Sequence, residues 1–260
     1  MAAVAGCGGG GAANPTTTIR QLRQFRILFP EGFTRMQMAA RAQAVSKIAV
    51  SESHRKVKLS GTAYAAVTAK PRVIAGFGAK KLPLEGFLFP DTYNFDRKTT
   101  AAQLVNTQLQ EFASKWRTLD LSYAKSKNLS AYDVLTIASM IEKEAVAPGD
   151  RPKVARVIYN RLHLGMALGI DATIRYALHI PGTKSLTQSE LANPTPYNTR
   201  LHTGFPPTPI ASPGLASMEA AAHPANGPWL YFVAEPDKVH TYFTASAQAF
   251  EQYKATHGYG

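Results

Sequence analysis

A capped apolar helix that ends on two carboxylates constrains this chain more than any other feature. Ser130 and Asp133 have the spacing of a capping box, in which two side chains satisfy the free amides at a helix start. An apolar run follows, and Pro148-Gly149 stops it. At roughly 100° per residue, Val134, Ile137, Ala138, Ile141 and Ala145 fall on one stripe, the side that faces a core. Glu142 and Glu144 fall on opposite flanks of that stripe, and Lys143 points away from it. Solvated helix faces usually carry opposite charges three or four residues apart. Neither glutamate has a cation at those positions. Glu144 also lies in the last turn, where the helix dipole disfavours a negative charge, and it neighbours Met140 and Ile141. Both effects raise a carboxyl's proton affinity, as a general acid requires. The other reading, that the glutamates pair with distant Arg or Lys residues, stays open at this point.

The rest of the chain reads as a mixture of helices and strands without a βαβ rhythm, so the expected class is α+β. Hydrophobic residues make up 45% of 260, which is enough for a sizeable core. No run of 18 apolar residues is present, so no spanning helix is expected within these residues. Residues 1–19 are Gly- and Thr-rich and read as a flexible linker or the end of a truncated anchor region. Val4-Ala5-Gly6-Cys7 has the form of a lipoprotein cleavage box, but the charged and apolar stretches that precede such a box are missing. Cys7 is the only cysteine, which excludes an internal disulfide and a cysteine-based metal site.

Residues 20–80 read as a small basic module, with a strand near 20–28, a turn at Phe29-Pro30-Glu31-Gly32-Phe33, a helix that Thr34 caps, and another helix near 60–70. Residues 81–260 form the second unit. Its aromatic stretch 84–93, punctuated by Gly and Pro, reads as a shaped loop with short strands. Leu104, Val105, Leu109, Phe112 and Trp116 recur at helical spacing. Asp150 is placed to cap a helix that presents Val154, Val157, Ile158 and Leu162 and ends at Gly165. Pro-rich loops run from Asn193 to Gly214, a short helix stops at His223-Pro224, and a hairpin turns around Glu235-Pro236-Asp237-Lys238.

These segments carry a resemblance. FPEG at 29–32, LEGFLFPDTY at 84–93, ASMIEKEA at 138–145, VARVIYNRL with GMAL at 154–168, and Asp171 with Thr173 and Tyr176 occur in order. PTPYNT at 194–199, GFPPTPIASPG at 204–214, AAAHP at 220–224, and YFVA with His240 and Phe243 complete the series. In this the chain resembles the YceG-like family of endolytic murein transglycosylases, from about residue 27 to the end. The resemblance implies a catalytic unit over 81–260 and a LysM-like remnant over 20–80. It also implies an N-terminal membrane helix that residues 1–260 do not contain.

The implied activity is cleavage of the β-1,4 bond between N-acetylmuramic acid and N-acetylglucosamine within peptidoglycan strands. It leaves 1,6-anhydro ends, with the second glutamate of the EKE segment, Glu144, as acid and then base. No metal or cofactor is implied. Tyr197, Asn198, Asn160, Arg161, Asp171, His223, His240 and Phe243 stand where substrate-binding residues are expected. For Asn198 a turn role, for Arg161 a salt bridge, for Asp171 a helix cap, for His223 a helix end and for His240 a satisfied strand histidine are the competing readings. On the same resemblance Phe87, Phe89 and Tyr93 either stack on sugar rings or pack in the core, the commoner place for aromatics. The chain departs from the family's pattern at Arg200, Thr208 and Ala172. The implied partners are peptidoglycan strands and the cell-wall synthesis machinery, the implied place is the extracytoplasmic side of a bacterial cytoplasmic membrane, and membrane contact is expected only through the anchor.

Three other classes fit parts of the sequence. The net charge of +12 suits anionic polymers, so a glycan-binding module without activity is one. It would not need an acid at an uncompensated helix end. A pyridoxal-phosphate lyase needs a buried lysine and a phosphate cup, whereas Lys143 points outward and no Gly-rich loop follows a strand. A nucleic-acid binder has only the charge in its favour, and nucleic acid is not expected as a partner.

Overall fold

The computed structural model describes residues 1–2 and 22–258. Most of the expected linker, with Cys7, and the first residues of the expected strand lie outside them. In chain order the elements are β1 (Phe25–Leu28), α1 (Arg35–Ser53), α2 (Gly61–Thr68), β2 (Arg72–Val73), β3 (Lys81–Leu82), β4 (Thr92–Phe95) and α3 (Ala101–Trp116). Then come α4 (Ser122–Ser126), α5 (Ala131–Glu144), a 3-10 turn (Pro148–Asp150), α6 (Arg151–His163), α7 (Asp171–Leu178), α8 (Gln188–Leu191), α9 (Leu215–Ala222), β5 (Tyr231–Ala234), β6 (Thr241–Thr244) and α10 (Ala247–Thr256). The strands form antiparallel pairs, β1 with β4, β2 with β3 and β5 with β6. The fold is α+β.

Strand β1 pairs with β4 from Phe25 opposite Phe95 to Leu28 opposite Thr92, so the ladder joins the segments on either side of residue 80. Ile27, Phe29, Met38 and Tyr64 from the first segment share one buried cluster with Phe87, Phe95, Phe112 and the apolar residues of α5. Phe87 and Phe89 of the aromatic loop are buried, as is Tyr93, so the core reading of these rings holds. Gly86 makes the bend. Its φ is +87°, and a Cβ there would lie 2.7 Å from Pro209, so the loop needs glycine for both conformation and close approach.

Helix α5 is the hub. Its capping box is present, with Ser130 and Asp133 each bonded to the other's amide. Every residue from Val134 to Ile141 is buried, where one stripe was expected. The reason is that α6, α7 and α9 all pack on it, so the helix has no solvent side along its middle. The small polar residues that this requires are satisfied locally. The Thr136 hydroxyl donates to the Tyr132 carbonyl, and Ser139 donates to Thr136 and accepts the Ile210 amide. Replacing Ser130 by Ala is expected to cost about 1 kcal/mol, measurable as a lower midpoint in urea unfolding with an unchanged slope.

Asp150 does not cap α6 with its side chain. The preceding 3-10 turn leaves it in the helical region, at φ −89° and ψ −22°, where the carboxylate cannot fold back onto the free amides. It takes the Lys153 ammonium instead, at 3.4 Å.

Candidate active site

The two glutamates of α5 leave the helix in different directions and meet different surroundings. Glu142 is bound to the start of α9. Its Oε2 accepts the Gly214 amide at 3.0 Å and the Ser217 hydroxyl at 2.7 Å. Lys143 is exposed and donates to the Gly32 carbonyl. Glu144, the last residue of α5, is half-buried and lines a cleft of about 740 Å³. Glu85, Asp171, Arg175, Tyr176 and Arg35 line the same cleft.

Helix α7 begins against the end of α5. The Ala172 amide donates to the Glu144 carboxylate, while Arg175 and Arg200 attract its negative charge. Burial and the nearby Asp171 carboxylate oppose them and prevail, so Glu144 is pushed up to about 7. A carboxyl in that range is protonated in a large fraction of molecules at neutral pH and still loses its proton readily.

Glu85 forms a second buried carboxyl of the cleft, and the sequence reading passed over it. Oε1 accepts the Arg35 amide at the start of α1, 2.9 Å away, and Oε2 accepts the Tyr176 hydroxyl at 3.0 Å. Burial outweighs these bonds and pushes it up to about 7. The signal was available in the sequence. Glu85 is the lone glutamate inside the apolar run Leu84–Phe89, although Lys81, four residues before it, makes the signal weaker than the one at Glu144. Tyr176 continues the network, with its ring 5.2 Å from that of Tyr197, whose hydroxyl pairs with Thr208 at 2.8 Å.

The other expected site residues are distributed as follows. Asp171 faces the cleft and pairs with Arg200 at 2.7 Å. Tyr197 stands behind Tyr176. Asn198 is wholly buried, and its amide nitrogen donates to the Leu191 and Asn193 carbonyls, both at 2.8 Å. Asn160 donates to the Gly227 and Trp229 carbonyls, and Arg161 to those of Leu230, Ala167 and Leu168. These two residues tie α6 to the loops before α7 and β5. His223 lines a separate cavity of about 420 Å³ with Arg151 and Glu219. His240 is exposed and pairs with Asp237 at 2.6 Å, which raises the proton affinity of its imidazole. Phe243 packs against Trp229 and Phe232, under the Lys153 ammonium. Cleft and Glu144 therefore bring together Asp171 and, through Tyr176, Tyr197, while His223, His240 and Phe243 lie elsewhere.

Among the described residues no cluster of three or more His, Cys, Asp or Glu side chains is placed to hold a metal ion, and no helix is long and apolar enough to cross a membrane.

The chain is similar to known proteins in sequence and, in one case, in solved structure. The YceG-like family model matches residues 11–256. A Bacillus subtilis (strain 168) protein named endolytic murein transglycosylase is 41% identical over 156 residues, covering 60% of this chain and 43% of that protein. A Streptococcus pneumoniae (strain R6) protein of the same name is 31% identical over 246 residues, covering 89% of this chain and 44% of that one. The chain thus spans less than half the length of either relative. The crystal structure of a yceG-like protein from Listeria monocytogenes superposes with a TM-score of 0.73 at 30% identity, covering 88% of this chain and 76% of that one. On the family match across nearly its whole length and on this shared fold, the chain belongs to the YceG-like family.

Proposed function

We propose that this chain is the catalytic part of an endolytic lytic transglycosylase that cuts peptidoglycan strands internally, with Glu144 as the single acid and base. The observation that carries the reading is the position of Glu144. It is half-buried in a cleft large enough for sugar units, and it holds its proton near neutral pH. The names of the relatives supply the substrate class.

The chemistry needs one group that gives and then takes a proton. The protonated Glu144 carboxyl donates to the glycosidic oxygen as the bond to C1 of N-acetylmuramic acid breaks. The oxygen of the same sugar's C6 hydroxyl attacks C1, and its proton passes to the Glu144 carboxylate. The acid is restored, no water is consumed, and the new end is a 1,6-anhydro sugar. Ordinary glycosidases need a second carboxylate as nucleophile or as a base for water. The other carboxylates of the cleft are already engaged, Asp171 by Arg200 and Glu85 by the Arg35 amide and the Tyr176 hydroxyl. Asn160, Arg161 and Asn198 brace the loops of the site, and Tyr197 supports Tyr176 in the wall. His223, His240 and Phe243 lie beyond this cleft. The chain works in the bacterial cell envelope, outside the cytoplasmic membrane and beside the wall-synthesis machinery, with its positive surface towards an anionic wall.

Mass spectrometry of purified strands digested by the chain tests this. Internal fragments with 1,6-anhydro ends are expected. Reducing ends would mean hydrolysis and make Asp171 the base to examine. Intact strands after exposure to the folded chain would leave a glycan-binding role.

A further inference from the structure

One charge pair beside Glu144 takes no part in the proposed proton transfers. Asp171 is the first residue of α7 and immediately precedes Ala172, whose amide holds the Glu144 carboxylate. Arg200 grips Asp171 Oδ1 with Nε and with a terminal guanidinium nitrogen, both at 2.7 Å. Arg200 is itself held in place by Asn198, whose side-chain oxygen accepts the Arg200 amide at 3.0 Å. A buried asparagine, an ion pair at the cleft edge and a helix start thus converge on one carboxyl.

The other charged groups near Glu144 are engaged elsewhere. Arg175 donates to the Pro181 and Lys184 carbonyls. On the acid's own helix, Glu142 is bound to the start of α9 and Lys143 to the Gly32 carbonyl. Glu85 is held by the Arg35 amide and Tyr176. Arg175 also attracts the Glu144 charge from α7, but Asp171 and Arg200 are the two that are in direct contact with each other, and they act on Glu144 in opposite senses.

We propose that Asp171 and Arg200 are positioning residues for Glu144, a charge pair built into the start of α7 whose balance sets when the acid holds its proton and when it gives it up. The inference rests on the reading of Glu144 as acid and base. A group that must do both works best with a proton affinity close to the working pH. Asp171 alone would hold the proton too firmly. Arg200 offsets that charge and fixes the turn that carries the Ala172 amide.

The test follows the Glu144 carboxyl by ¹³C NMR titration in the full chain, with its signal assigned by its loss in Glu144→Gln. Arg200→Gln is expected to move the midpoint up by about half a pH unit or more, Asp171→Asn to move it down by a similar amount, and Arg200→Lys to return it towards wild type. The same variants on peptidoglycan strands should shift the alkaline limb of the pH–rate profile in the same directions, with KM changed less than about twofold. A midpoint unmoved in Arg200→Gln and Asp171→Asn, or moved the same way in both, overturns the pairing. Midpoints that move as expected in the variants, together with a wild type that cuts no strand, would overturn the proposed reaction and leave the pair's action on Glu144 standing. Cleavage with unmoved midpoints would do the reverse.

Discussion

Glu144→Gln is expected to lower the rate of strand cleavage by about 10³- to 10⁴-fold, the upper range for loss of a general acid, because one group serves both proton transfers. The amide fits the same space and still accepts the Ala172 amide, so the fold is unchanged while the transferable proton is gone. Glu142→Gln is the matched control, one turn-flank away. It should keep cleavage within a few-fold and lose about 1 kcal/mol of stability, since Gly214 and Ser217 would bond a neutral oxygen at the start of α9 in place of a charged one. The wild-type rate should also fall as pH rises beyond about 7, where Glu144 gives up its proton. Initial rates of anhydro-ended product release from pH 5 to 9, with urea unfolding of both variants, measure all three effects. Equal losses in the two variants, or a loss confined to Glu142→Gln, would remove Glu144 from the mechanism.

Helix α5 was legible because its signals are local. The capping box, the apolar run and the stop at Pro148-Gly149 lie within 20 residues, and each acts through its neighbours in sequence. The case for Glu144 over Glu142 was also local, resting on the helix dipole and on flanking apolar side chains. What the sequence withheld is the long-range half of the site. The Ala172 amide, Asp171 and Arg200 reach Glu144 only because α7 packs end to end against α5, and no periodicity encodes that meeting. Donor use was equally hidden. Asn160, Arg161 and Asn198 look like substrate ligands in a loop-rich stretch, yet in the fold their nitrogens meet backbone carbonyls. Asp150 shows the limit of a residue-type rule. An aspartate before a helix caps it only from an extended backbone, and here a 3-10 turn comes first. Glu85 was overlooked for a different reason. The aromatic residues around it drew the reading towards stacking, although a carboxylate among them is the costlier group to bury.

That cost sets the second large effect. Replacing Glu85 by Gln should make the protein's stability less dependent on pH. Glu85 has an ordinary value of 4.5 and is raised to about 7 in the fold, chiefly by burial. Between those values the native state keeps a proton that the unfolded chain has lost, so unfolding becomes easier as pH rises. Below about pH 4.5 both states are protonated and nothing is lost; above about pH 7 both are ionised and the loss is complete. The gap corresponds to roughly 3 kcal/mol. Glutamine has the same shape and cannot ionise, and it can still accept from Arg35 while its NH₂ group donates to the Tyr176 oxygen. Compared with the wild type, the variant should therefore gain about 3 kcal/mol between pH 4.5 and pH 8. Glu144 and the exposed acids titrate alike in both proteins, so they cancel in the difference. Urea unfolding of the pair at pH 4.5, 6, 7 and 8 gives that difference directly. Curves that stay parallel would mean that the Glu85 carboxylate is as well solvated in the fold as in water. The floor of the cleft would then be wet, and the burial that keeps the neighbouring Glu144 protonated would have to come from the α5–α7 junction alone.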